Sequence, residues 1–232
     1  MEGQQTPAEV GRDYERFIGY LYETAGWNVV YRGILRGMAD RGRDLVCWSG
    51  SKVHIVQCKR WSAANPIKAE IVHDLIKTTA EYVAKKHSDD QLGFEWPEAA
   101  SKSVRAVLFT TGILQSDAAA VARLNRVIIR DRYAFKAYPK IKCHHTSLGK
   151  KVYLTPACYS YDSISVRSLR GDCYVYSETE ALSLGFEKHE ENMALFAAKK
   201  RTIRSGDEFK PDQTPSFLFR LKAWLFGLKH GL

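Results

Sequence analysis

Two apolar segments joined by a short turn dictate the local architecture of residues 44–59. Asp44 opens Asp44-Leu45-Val46-Cys47-Trp48, Ser49-Gly50-Ser51 makes a turn, and Val53-His54-Ile55-Val56 runs into Gln57-Cys58-Lys59. Side chains on a strand alternate faces, so Gln57 and Lys59 project together and Cys58 points away. A hairpin lays the start of one strand beside the end of the next. Asp44 is therefore expected next to Gln57 and Lys59, which brings an anionic oxygen, an amide oxygen and an ammonium to one strand end.

That trio is what divalent-metal phosphodiester hydrolysis requires. A carboxylate and one or two further oxygens hold Mg²⁺, a hard cation that shares its shell with water and substrate phosphate. The metal polarises the phosphoryl group, and a nearby lysine orients water and offsets developing negative charge. Asp and Lys are also common at strand ends, so the pattern alone is equally compatible with an ordinary surface hairpin.

Further stretches align in order with a known family. They are Gly11-Arg12-Asp13-Tyr14-Glu15-Arg16-Phe17, Gly26-Trp27-Asn28-Val29, Asp40-Arg41-Gly42-Arg43-Asp44-Leu45 and Val56-Gln57-Cys58-Lys59-Arg60-Trp61. Val107-Leu108-Phe109-Thr110-Thr111-Gly112, Ala118 to Ala122 and Val127-Ile128-Ile129-Arg130-Asp131 follow. From about Gly11 to Asp131 the chain resembles the catalytic domain of the Mrr-like (type IV restriction endonuclease) family of the PD-(D/E)xK nuclease superfamily. The resemblance implies that Asp44, Gln57 and Lys59 occupy the catalytic positions and Glu15 that of the first-helix acid. It further implies metal ligation by Asp44, Gln57 and the Cys58 backbone carbonyl. Gln57 replaces the acid of the superfamily pattern, as is usual in the Mrr-like branch, and Arg43 stands where an apolar residue is more common.

Composition agrees with that reading. The chain has 232 residues, enough for one packed domain with an appendage, and its 45% hydrophobic content is that of a globular protein. A formal charge of +9 favours a polyanionic partner. Five scattered cysteines form no secreted disulfide framework, the segment Met1 to Glu9 lacks an apolar signal core, and no apolar run is long enough to span a bilayer. The expected location is cytoplasmic.

Periodicity gives a mixed α/β fold. Tyr14, Phe17, Ile18, Leu21 and Ala25 recur at helical spacing, in a helix ending at Gly26 with Glu15 on the border of the apolar stripe. Trp27 to Tyr31 reads as a strand, followed by a Gly- and Arg-rich loop through Gly42. Asn65-Pro66 starts a helix with Ile67, Ile71, Leu75, Thr78 and Tyr82 on one face, and Ser88 to Ser103 reads as a loop. Val104 to Thr111 is a buried strand, Ser116 caps the helix Asp117 to Asn125, and Val127 to Ile129 is the next strand. A hairpin joined to a parallel strand–helix–strand unit, with helices over the sheet, is a restriction-endonuclease-like mixed sheet flanked by helices.

Arg32, Arg36, Arg41 and Arg43 precede Asp44, and Arg60 and Trp61 follow Lys59. Arg36, Arg41, Arg43 and Arg60 are candidates for phosphate contact. Trp61 is a candidate for stacking on a base, although packing is the commoner use of Trp. For Thr110 and Thr111, phosphate contact is weighed against plain β-propensity, which is preferred.

Three segments are expected: a nuclease domain over 1–138, a small Cys/His-containing module over 139–190, and a basic linker with an amphipathic helix over 191–232. In the module, Tyr153 to Cys158, Tyr176 to Ala181 and Gly185-Phe186 resemble the small Ada-like metal-binding module appended to some nucleases. That pattern has a histidine where Leu154 stands and a cysteine where His189 stands. A β-rich packing module with unligated cysteines is therefore preferred to a Zn²⁺ site on Cys158, Cys173 and His189. From Thr214 onward, Phe217, Leu221, Trp224, Leu225 and Leu228 share one helix face, for docking or association rather than membrane contact.

These readings converge on a Mg²⁺- or Mn²⁺-dependent DNA endonuclease acting on double-stranded DNA, with a homodimer left open. The alternatives are a catalytically weak nucleic-acid-binding or scaffold protein that retains the fold, and a nuclease directed at RNA or single strands.

Overall fold

The computed structural model describes residues 5–36, 43–84 and 103–190. Arg41, most of the loop expected over Ser88 to Ser103, the stretch Lys199 to Arg204 and the terminal helix expected from Thr214 lie outside the described residues.

Helix α1 (Pro7–Thr24) starts where local chemistry permits. Thr6 caps it, its Oγ1 accepting the Glu9 N–H at 3.3 Å, while Glu9 Oε2 accepts the Thr6 N–H at 2.8 Å. Pro7 supplies a first turn that needs no N–H. Gly26, at φ +79°, turns the chain away.

The strands that follow form one five-stranded sheet in the order β1-β2-β3-β4-β5. They are β1 (Asn28–Tyr31), β2 (Leu45–Ser49), β3 (Lys52–Lys59), β4 (Ser103–Thr110) and β5 (Ile128–Arg130). The first three are antiparallel, whereas β3–β4 and β4–β5 are parallel, so the sheet is mixed as the pattern predicts.

Both faces are covered, and the period of two sorts the side chains between them. Leu45, Cys47, Val56, Cys58, Val107 and Phe109 pack against Tyr14, Phe17 and Ile18 of α1. Val46, Val53, Ile55, Ala106 and Leu108 pack on the opposite side. There they meet α3 (Ala69–Ala84) through Val72, Leu75 and Tyr82, and α4 (Ser116–Leu124) through Ala118 and Ala122. Each large apolar side chain buried this way contributes about 1.5–3 kcal/mol.

Three local expectations need correction. The Gly- and Arg-rich stretch begins with a short helix, α2 (Arg32–Arg36). Ile67 is not helical: it forms an isolated parallel bridge with Leu114, donating its N–H to the Ile113 carbonyl at 2.8 Å, and α3 starts at Ala69. Ser116 is the first residue of α4, and Gln115 holds the cap without a side-chain bond. Backbone pairing with a distant segment decides the Ile67 case, and helical periodicity does not register it.

A second, four-stranded mixed sheet has the order β8-β6-β7-β9. Its strands are β6 (Ile141–His145), β7 (Lys151–Leu154), β8 (Cys173–Val175) and β9 (Glu187–Lys188), with α5 (Glu178–Ser183) between the last two. Buried charge ties it to α1. Lys142, fully buried, donates to the Tyr161 and Ile164 carbonyls at 3.1 and 2.6 Å and lies 3.9 Å from Glu23 Oε1. Its ammonium also sits 4.4 Å from the Tyr31 ring centre and 4.6 Å from that of Tyr161. Burial pulls the Lys142 pKa down and pushes that of Glu23 up, and each charge opposes the other's shift. Nearby, Arg16 grips Asp162 through Nε at 2.8 Å and Nη2 at 2.6 Å.

Among the described residues no helix is long and apolar enough to cross a membrane.

Candidate active site

Asp44 lies just ahead of β2, where two backbone bonds and one side-chain bond fasten it. Its N–H donates to the Val56 carbonyl at 3.0 Å, and its own carbonyl accepts the Gly33 N–H at 2.9 Å. One carboxylate oxygen, Oδ2, accepts the Cys58 N–H at 2.5 Å. The register Leu45↔Val56 makes Gln57 the cross-strand neighbour of Asp44, as the hairpin predicts.

The other carboxylate oxygen, Oδ1, shares the neighbourhood of Gly33 with Glu15 Oε2. Glycine at position 33 makes this approach available, because a Cβ built there would lie 2.9 Å from Glu15 Oε2, 3.1 Å from Asp44 Cα and 3.2 Å from Asp44 Oδ1. Two carboxylate oxygens from different elements thus flank one point that any other residue would fill. A cleft of about 600 Å³ opens there, lined by Glu15, Gly33, Asp44, Lys59, Arg60 and Trp61 together with the first turns of α1. Glu15 is half-buried, matching its border position on the helix.

Lys59 ends β3, its Nζ 6.0 Å from the Trp61 ring centre. Gln57 is buried, and its Oε1 has no hydrogen-bond partner among the described residues. A buried amide oxygen without a donor costs roughly 1–3 kcal/mol, and a hard cation would satisfy it. Cys58 takes the opposite face, in the α1 core, where burial and then the charges of Asp44 and Glu15 push its thiol well up. Its side chain thus points into the α1 core while its backbone N–H reaches Asp44.

The remaining sequence candidates divide. Arg60 is exposed and lies over Phe135 at 4.9 Å, available to an anion at the cleft rim. Arg43 is buried, close enough to Tyr82 to influence that hydroxyl, and so presents little surface to a duplex. Arg36 belongs to α2. Trp61 packs against the α3/α4 core, and its carbonyl accepts the Thr111 hydroxyl at 2.7 Å. Thr110 Oγ1 accepts the Gly112 N–H at 3.1 Å. Both hydroxyls therefore shape the turn that holds Trp61. Cys158, Cys173 and His189 do not assemble: among the described residues no group of three or more His, Cys, Asp or Glu side chains could hold a metal ion.

Gly33 is the position in this cleft that sequence reasoning missed. Its only signal is a glycine inside a short helix where no turn requires one.

A mixed sheet whose central hairpin brings Asp, Gln and Lys to one end, beside an acid from the first helix, defines a domain of the restriction-endonuclease class. Residues 8–88 match the family model described as restriction endonuclease (Mrr_cat), a segment that contains Glu15, Asp44, Gln57 and Lys59. Over that stretch the chain is similar to the Mrr-like catalytic domains of PD-(D/E)xK type. No curated protein and no solved structure matches the chain.

Proposed function

We propose that the protein is a Mg²⁺- or Mn²⁺-dependent endonuclease that hydrolyses phosphodiester bonds in DNA. The observation that carries this reading is the pair of carboxylates, Glu15 and Asp44, flanking one point over Gly33 in a cleft that Lys59 also lines. Asp44, the Gln57 amide oxygen and the Cys58 carbonyl would hold the cation. The donor set is all oxygen, and the partnerless Gln57 Oε1 is in keeping with it. When bound, such an ion supplies Lewis-acid polarisation of a phosphate.

The chain's own groups do the rest. The Lys59 ammonium orients the attacking water and offsets the charge that develops on the phosphoryl oxygens. Glu15 holds the water by accepting a hydrogen bond from it. Arg60, exposed beside the cleft, anchors a flanking phosphate without reading a base.

The test is to incubate full-length protein with methylated and unmethylated duplex DNA, single strands and RNA, each with Mg²⁺, Mn²⁺ or EDTA. Metal-dependent cleavage of duplex DNA that disappears in Lys59→Ala is the expected result. Full-rate cleavage by Lys59→Ala, or cleavage indifferent to EDTA, refutes the assignment. Preference for RNA or single strands redirects it to that substrate, and binding without cleavage leaves a nucleic-acid-binding protein on a nuclease scaffold.

A further inference from the structure

A second cleft, of about 320 Å³, lies between the outer strand β1 and the segment 163–170. It shares no lining residue with the cleft at Asp44. Residues Asn28 to Val30 and Trp48 form one wall, and Ser163 to Ser165, Arg167, Arg170 and His144 form the other. Asn28 pairs with Trp48 at one end of β1–β2, whereas Tyr31 pairs with Leu45, next to Asp44, at the other end. At about 3.3 Å per residue, Trp48 and Asp44 are separated by about 13 Å along the strand.

The chemistry of this cleft is that of an anion site with an aromatic wall. Arg167 is half-buried and Arg170 exposed, and among the described residues neither forms an ion pair. Guanidinium groups present paired donors suited to phosphate. Trp48, half-buried, adds a flat apolar surface on which a base could stack.

The site is also organised from behind. Asp172 is buried and accepts the Arg167 N–H at 3.1 Å and His144 Nδ1 at 3.1 Å, together with the N–H and Nδ1 of His145 at 2.8 and 3.1 Å. One carboxylate thus fixes both the backbone of an arginine and the imidazole of a histidine that line the cleft. Ser165 Oγ meanwhile accepts the Val29 N–H at 3.4 Å, so the same segment also closes part of the edge of β1.

We propose that this cleft binds a nucleotide, with Arg167 and Arg170 on its phosphate and Trp48 against its base. The nucleotide is either a free mononucleotide or one unit of a strand that runs over the sheet.

Calorimetric titration of the full-length protein in EDTA tests this. The probes are deoxynucleoside 5′-monophosphates, the matching nucleosides, inorganic phosphate and a short single-stranded oligonucleotide. The double variant Arg167→Ala/Arg170→Ala is expected to weaken binding by at least about tenfold, since each guanidinium lost removes a charge-assisted contact. Trp48→Leu, which stays apolar but removes the ring, is expected to weaken nucleotides but not inorganic phosphate. Mononucleotide binding identifies the free ligand as sufficient, and binding of the oligonucleotide alone identifies a strand. If no probe binds, or if the double variant binds like the wild type, the proposal is wrong. Because no cleavage is measured, the outcome does not depend on the nuclease reading.

Discussion

The carboxylate of Asp44 and the backbone N–H of Cys58 meet at 2.5 Å across the hairpin. The bond ties the acid to the strand that carries Gln57 and Lys59, so the three move as one unit. An amide can still accept that N–H, so Asp44→Asn is expected to retain the wild-type circular dichroism and melting temperature. Losing the charge should nevertheless lower metal-dependent cleavage by at least about 100-fold, since even indirect partners of metal ligands cost up to that much. Near-normal turnover in Asp44→Asn would remove it from the proposed ligand set.

Gly33 offers a sharper test, because its replacement adds no charge and removes no functional group. Gly33→Ala puts a methyl group 2.9 Å from Glu15 Oε2 and 3.2 Å from Asp44 Oδ1. The same methyl lies 3.1 Å from Asp44 Cα, a backbone atom that cannot swing aside, so stability should fall by about 1–3 kcal/mol, less what alanine's helix propensity returns. Displacing the carboxylates should still cost about 100-fold in cleavage, the usual penalty for a misplacement of about 1 Å. Thermal melting beside a cleavage assay checks both halves of the expectation.

Arg16 neighbours Glu15 on α1 and grips Asp162, with side chains only 11% and 8% exposed. Breaking a buried pair deprives the survivor of its principal partner. Arg16→Met and Asp162→Asn should each destabilise the protein by roughly 3 kcal/mol, while the double variant should recover part of the loss. Denaturant titration of the three variants measures the coupling. Additive losses would mean that the pair contributes nothing beyond its members.

Asp172 gives a pH signature. Burial alone would raise its pKa, but the N–H groups of His145 and Arg167 and both imidazoles outweigh burial and hold it below the ordinary value of 3.8. A carboxylate depressed in the folded state adds stability above its unfolded value and loses that contribution as pH falls through the folded one. The stability gap between wild type and Asp172→Asn should therefore be full at neutral pH and shrink below about pH 4. Urea melts at a series of pH values give the comparison, and a gap that widens in acid would contradict it.

The hairpin from Asp44 to Lys59 was legible because its partners are neighbours in sequence and alternate with period two. Glu15 was legible as well, since a helix border follows from 100° per residue. The Gly33 approach was hidden, because it depends on a glycine folding back to place Glu15 and Asp44 about one point. Lys142 was hidden for another reason: flanked by Ile141 and Cys143, it reads as an outward strand residue. Its actual surroundings, Glu23, Tyr31 and Tyr161, come from distant parts of the chain. Ile67 followed the same rule, its backbone being claimed by Leu114 and not by the helix that its spacing suggests.

Strand β3 pairs with β2 from Lys52 to Val56 along one edge and with β4 in unbroken register from Lys52↔Ser103 to Lys59↔Thr110 along the other. A strand held that way has no cheap local opening, and its amides reach solvent only when the whole sheet comes apart. Gln57 and Lys59 therefore belong to a strand expected to exchange among the slowest in the molecule. On warming, cleavage should persist until the fold itself is lost, with no earlier stage at which an intact protein has a melted active site.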